Sequence, residues 1–224
     1  MAVRLHSALW FVLLSILAPV PGQAESSWES LQFITEEFPP YNYTEGGVAR
    51  GIAVDLLIES AEAAGLALQR KDIRSYPWAR GYQMAQKGPG IALFAMTRSA
   101  EREHLFKWVG PVISTRVVLL ARKDRQLKIN QPAALAAYQI GAIRDDIGHQ
   151  LLKTLGIGAN NIQLFSSAVP VANMLDKGRI DFWAYDETTA RWFIKMLQLD
   201  NSRFEAAYLL KEGNMYYAFS PDVD

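Results

Sequence analysis

Apolar residues follow two alternating rhythms along this chain: short runs of four to seven, then longer stretches at helical spacing. Residues 31–35 predict a strand ending in a Pro-Pro-Tyr turn. Residues 51–64 put Ile52, Leu56 and Ala63 on one side of a helix that Gly65 stops. Residues 66–73 read as extended, and Ser75, with Pro77 just after it, opens a second helix through Gln86. The runs at 91–96 and 117–121 are continuously apolar, the mark of strands buried on both faces.

The alternation then resumes. A short helix at 132–137 precedes a strand at 139–143; a helix at 147–155 with Gly156 behind it precedes a strand at 162–165. Residues 167–177 and 187–198 predict two more helices, around a strand at 180–184, and 204–210 a last strand. Strands alternating with helices imply mainly parallel sheet covered on both faces. Two such blocks, parting near residues 122–124, predict two α/β lobes. Ser220-Pro221-Asp222 has the make-up of a helix N-terminus, with a capping serine, an early proline and a carboxylate. Because the chain stops soon after it, we expect a C-terminal helix to be missing.

Composition narrows the chemistry. Half of the 224 residues are hydrophobic and 21% are charged, which argues against disorder. Lys plus Arg equals Asp plus Glu at 23 each, leaving no basic excess to hold a nucleic acid. With no cysteine there are no disulfides, zinc knuckles, iron–sulfur clusters or thiol nucleophiles. The three histidines, His6, His104 and His149, suggest no metal site, and no cofactor is expected. Met1 to His6 carries one cation, Arg4; residues 8–20 are apolar but for one serine, and small residues end the segment at Ala24. That is the order of a cleaved signal peptide over 1–24. The apolar run is too short to span a bilayer core of roughly 30 Å. No cysteine at the cut offers a lipid anchor. An exported chain of this kind fits the periplasm of a Gram-negative bacterium.

Four stretches taken in order resemble the bacterial extracellular solute-binding proteins of family 3, the periplasmic amino-acid-binding type. They are FITEEFPPYNYTEGGVARGIAVDLLIESAEAAGL from Phe33, MTRSAERE from Met96, YQIGAIR from Tyr138 and GRIDFWAYDETTA from Gly178. PWAR at 77–80 and WVGP at 108–111 mark a divergent branch. The resemblance implies an α/β fold of the two-lobed periplasmic binding protein type II, with two crossing strands and a ligand cleft between the lobes. Lobe 1 would hold residues 28–118 plus 215–224, and lobe 2 residues 119–214.

The resemblance also implies a site. Its Thr-x-x-x-x-Arg stretch falls on Thr97 and Arg102, the arginine pairing a ligand carboxylate through two parallel hydrogen bonds. Read from its neighbours alone, Arg102 is an exposed residue in a Ser-Ala-Glu-Arg turn. Asp186 ends an apolar strand, where the family holds the ligand ammonium; it suits a helix N-cap equally well. Phe38, Tyr41 and Trp78 are candidate pocket walls, with core packing as the alternative for the last two. Arg80 reads as solvated, and Asn42-Tyr43-Thr44 as a turn. One departure stands out: where the family's second-lobe strand meets a glycine and a hydroxyl residue, this chain has Asp145-Asp146-Ile147. With Asp186 they would make that lobe acidic and suit a cationic or amine-bearing ligand.

The implied role is capture of a small polar solute, an amino acid or amine-like compound, by a monomer that delivers it to the membrane permease of an ABC importer. A sensory module signalling to a membrane partner is the alternative. A dehydratase-like enzyme on the same fold would need Glu36, Glu37 or Asp186 as acid or base. Since neither a nucleophile elbow nor a phosphate loop is present, we expect a binding protein and not an enzyme.

Overall fold

A computed structural model describes residues 28–223; the signal peptide read over 1–24 lies outside them. In chain order the elements are β1 (Gln32–Thr35), β2 (Tyr43–Glu45), β3 (Val48–Arg50), α1 (Ile52–Ala63), β4 (Arg74–Ser75), α2 (Trp78–Lys87), β5 (Ile91–Thr97) and β6 (Lys107–Arg122). There follow β7 (Ile140–Ile143), α3 (Ile147–Thr154), β8 (Ile162–Phe165), α4 (Ala168–Asp176), β9 (Phe182–Asp186), α5 (Glu187–Met196) and β10 (Phe204–Phe219). The main sheet runs β4-β1-β5-β10-β6-β9-β7-β8, and β2 and β3 form a separate hairpin.

The order explains the burial. β4, β1 and β5 are parallel, as are β9, β7 and β8, and each trio carries helices on its faces. Every residue of β5 and of β9 is buried, as their unbroken apolar sequences require. Between the trios lie β6 and β10, antiparallel and 16 residues each, long enough to reach roughly 50 Å. β10 pairs with β5 only at 215–219, and β6 pairs with β9 only at 117–121. In between, Ser114, Thr115 and Arg116 face Asn214, Gly213 and Glu212 and pair with nothing else. The sheet narrows there to a two-stranded waist.

Several local expectations need correction. The strand expected at 117–121 begins ten residues earlier, at Lys107, and the one expected at 204–210 runs on to Phe219; half-exposed polar positions conceal both extensions. Residues 66–73 hold no strand, only a short 3-10 turn, and the adjoining β4 is two residues long. Residues 43–50 form a hairpin turned by Gly46 and Gly47, with φ 60° and 78°, the left-handed pair that a tight hairpin needs. At Ser220 and Asp222 the helix start gives way to a turn. The Ser220 hydroxyl accepts the Ile91 N–H at 3.0 Å, and an Asp222 carboxylate oxygen accepts that of Gly90 at 3.0 Å.

Candidate ligand cleft

The carboxyl ends of β1, β5, β7, β8 and β9 converge on one region, where open α/β sheets hold their ligands. The loop after β1 brings Glu36 and Phe38. Its shape is fixed by Asn42, which is fully buried: its amide donates to the Glu36 carbonyl at 2.9 Å, and its side-chain oxygen accepts the Ala95 N–H at 3.2 Å. The carbonyls of Pro40 and Tyr41 accept the first N–H groups of α1, whose N-cap, Gly51, has no side chain to do so. A Cβ on Gly51 would lie 2.5 Å from the Tyr41 carbonyl oxygen, so this contact requires glycine.

Arg102 is not a surface residue; only 1% of it is exposed. Its Nε donates to Gln150 Oε1 at 2.9 Å, Nη1 to the Thr97 carbonyl at 3.0 Å and Nη2 to the Asp145 carbonyl at 3.2 Å. Its guanidinium carbon sits 5.2 Å from the ring centres of both Trp78 and Tyr82, the geometry of a cation held over aromatic faces. Trp78 Nε1 also donates to the Asp145 carbonyl, at 2.8 Å. Side chains from the loop after β5 and from α2 are thereby tied to the turn that opens α3. Asp145 has φ 61°, the left-handed region, which accounts for the glycine that the resemblance leads one to expect here.

Three carboxyl groups are buried in this region: Glu36 and Asp146 beside the arginine, and Asp186 beside Asp146. Glu36 and Asp146 are 8% and 5% exposed, and Asp186 1%. Burial pushes Asp146 up to about 6, against the pull of Arg102 and of the Ile147 and Gly148 N–H groups. Burial and then the Asp146 charge push Glu36 well above the usual carboxylate range, opposed by Arg102. Asp186 is raised as well, chiefly by burial, although it is bonded within the fold. Its Oδ1 accepts the Thr189 N–H at 2.8 Å, capping α5, and its Oδ2 accepts the Thr115 hydroxyl of the waist at 2.9 Å. Tyr185 completes the cluster. Its ring is stacked on Trp183 at 5.0 Å and meets Phe38 edge-on at 5.4 Å. Among the described residues its buried hydroxyl has no hydrogen-bond partner, and neither has Oδ2 of Asp146. Burial, with the charges of Glu36, Asp146 and Asp186, raises the Tyr185 phenol far above its ordinary value. Tyr41 is pushed up to about 12 by burial and by the Asp186 charge.

Beside the cluster lies a cavity of about 460 Å3. Glu36, Ser75 and Trp78 line one wall, and Ile143, Ser166, Ser167 and Phe193 another. Of the sequence candidates, Trp78 lines this cavity. Phe38 and Tyr41 pack beside it, 5.4 Å apart, both 4% exposed. Asp186 meets Tyr41 from the end of β9, while Thr97 supplies Arg102 with a carbonyl and not with its hydroxyl. Arg80 is exposed, its guanidinium 4.6 Å from the centre of the Tyr76 ring. Asn42 is a buried tie and not a surface turn residue. Gln150, Tyr82, Tyr185 and Thr115 were missed because their partners are distant in sequence; only Tyr185, one residue before Asp186, carried a local hint.

The family model for bacterial extracellular solute-binding proteins, family 3, matches residues 31–198. Comparison with curated protein sequences finds no match. Among solved structures, a histidine kinase sensor domain with similarity to periplasmic binding proteins superposes with a TM-score of 0.74 at 18% identity, covering 86% of this chain and 84% of that one. Holo ArgBP from T. maritima superposes with a TM-score of 0.71 at 19% identity, covering 88% and 86%. An ABC uptake transporter substrate-binding protein from Streptococcus pneumoniae, with bound histidine, does so with a TM-score of 0.71 at 15% identity, covering 87% and 81%. At these identities the superpositions establish a shared two-lobed fold.

Proposed function

The chain belongs to the bacterial extracellular solute-binding proteins of family 3, and from that premise we propose that its cleft captures a small, amine-bearing polar solute. The observation that carries this reading is the excess of buried acid: Glu36, Asp146 and Asp186 are all buried, against the single buried guanidinium of Arg102, which Asp146 and Glu36 already balance. A buried charge without a partner is costly, and an ammonium entering the cleft would supply one. Phe38, Tyr41 and Trp78 would wall the site, their faces suited to a cation's alkyl chain and charge. Lobe 1 would comprise residues 28–118 with 215–224, and lobe 2 residues 119–214. The narrow waist at 114–116 and 212–214 supports a hinge close to those boundaries. Solute binding would then select the closed arrangement by its greater affinity for it.

The leader-like segment at 1–24 supports export to the periplasm, where the chain as a monomer would hand its solute to an ABC-type permease. The likeness to a kinase sensor domain favours a second reading, in which the closed form signals to a membrane partner. Loss of labelled-solute uptake in cells lacking the chain would favour the first, and loss of a transcriptional response with uptake intact the second.

A thermal-shift screen of the purified protein over amino acids, amines and small organic acids tests the ligand class. At a concentration near 100 Kd an amine-bearing solute adds about 2.7 kcal/mol of stability, a Tm rise of roughly 5–10 °C. Organic acids without an amine should leave Tm unchanged. If they raise it and amines do not, the reading fails.

A further inference from the structure

The guanidinium that would receive a ligand carboxylate is already engaged. Three of its five N–H groups donate to Gln150, to the Thr97 carbonyl and to the Asp145 carbonyl, and the Tyr82 hydroxyl is a further partner. Trp78 and Tyr82, stacked on each other with ring centres 5.6 Å apart, approach the guanidinium together from one side. Like Asp146, Asp186 and Tyr185 it lies behind the cavity wall, and that wall itself carries Glu36 and Glu37 and no lysine or arginine. The cation's charge is balanced as well, by Asp146 and Glu36. A ligand carboxylate would therefore enter a region of surplus negative charge and find no free guanidinium edge.

Two unpartnered atoms point to what is wanted instead. The Tyr185 hydroxyl and Oδ2 of Asp146 belong to residues at least nine-tenths buried, and neither has a hydrogen-bond partner among the described residues. Buried polar atoms seldom remain unbonded, and both of these can accept a hydrogen bond. The phenol lies in the field of Glu36, Asp146 and Asp186, so a donor reaching it arrives among three acids. An ammonium offers three donors and one positive charge. At the cavity's other wall, Ser166 and Ser167 add hydroxyl acceptors for a second polar end.

We propose that the guest of this cleft is a small diamine or comparable cation without a carboxylate, and that Arg102 is a structural clasp across the cleft and not a carboxylate anchor. The inference rests on the cleft being a solute site, and it narrows the amine-bearing class to the decarboxylated members. Glu36, Asp146 and Asp186 receive one cationic end beside the Tyr185 hydroxyl. Trp78 covers the alkyl chain, and the serine-lined wall faces the other end.

Matched pairs that differ by one carboxylate test it: 1,4-diaminobutane against ornithine, 1,5-diaminopentane against lysine, and agmatine against arginine. Each is titrated calorimetrically into the dialysed protein at pH 7.5. At least one diamine or agmatine should bind tenfold or more tighter than its amino acid, a difference of about 1.4 kcal/mol. An amino acid that binds as tightly as its decarboxylated partner, or more tightly, overturns the inference and leaves the amine-bearing reading standing. Silence from all six overturns both. In Asp146→Asn the best diamine should weaken at least tenfold while circular dichroism and the ligand-free Tm show an intact fold. Should that variant fail to fold, Glu36→Gln serves in its place. Unchanged diamine affinity in the folded variant overturns the inference.

Discussion

Asp146 is the residue on which the pH behaviour of the cleft turns. Where the resemblance leads one to expect a neutral helix-opening hydroxyl, this chain has a buried acid pushed up to about 6, and Glu36 and Asp186 are raised with it. An unfolded chain releases these protons near pH 4, whereas the folded one keeps them until higher pH. Their contribution to stability is thus complete below pH 4 and is lost as pH rises through their raised folded-state values, about 6 for Asp146. His149, lowered by burial, acts in the opposite sense, as do the lowered surface acids Glu103 and Asp124, which solvent screens. The ligand-free protein should melt at a higher temperature at pH 5 than at pH 7.5. Asp146→Asn should flatten that difference, which scanning calorimetry at the two pH values would measure. Binding of a cation runs the other way: it favours the ionised acids and should strengthen from pH 5 to pH 7.5. At this scale Asp186 was legible because both of its offered roles, helix cap and strand-end acid, follow from adjacent residues. The burial of Arg102 was not, since its partner Gln150 lies 48 positions away.

The elements carry these residues into place through close backbone contact. Helix α3, whose N-cap is Asp146, lies so near β9 that a Cβ on Gly148 would sit 2.3 Å from the Ala184 carbonyl oxygen. Backbone cannot yield as a flexible side chain can. Gly148→Ala should push α3 away from the sheet, lower stability by about 1–3 kcal/mol and weaken solute binding as Asp146 and Gln150 move. Urea unfolding and a titration with the best ligand would show both losses; a variant as stable as the parent would refute the contact. Here the apolar rhythm was informative, because β5 and β9 are buried throughout and their sequences display it. It failed for β6 and β10. Lys107 to Arg116 and Leu209 to Asn214 are largely exposed or half-buried, so no period of two marks them. Pairing with a partner strand some hundred positions away, not local preference, makes them extended.

For the molecule as a whole, the waist and the cleft are two ends of one device. Ser114, Thr115 and Arg116 with Asn214, Gly213 and Glu212 are the only sheet pairings at the waist. Thr115 there reaches Asp186, so the waist and the acid cluster share a hydrogen bond. The two-lobed plan was legible from the order of motifs. The surplus of buried acid was legible only in part, because burial depends on how the two strand trios are brought together. Trp78 records that arrangement optically. Its indole N–H bonds to Asp145 on the far side, its ring lies near Arg102, and it is 2% exposed. Parting the jaws would expose this indole to water. Opening should therefore shift the intrinsic fluorescence to longer wavelength, and solute should return it to the blue. Trp78→Phe should silence most of that signal, giving a dye-free titration in which the molecule reports its own closure.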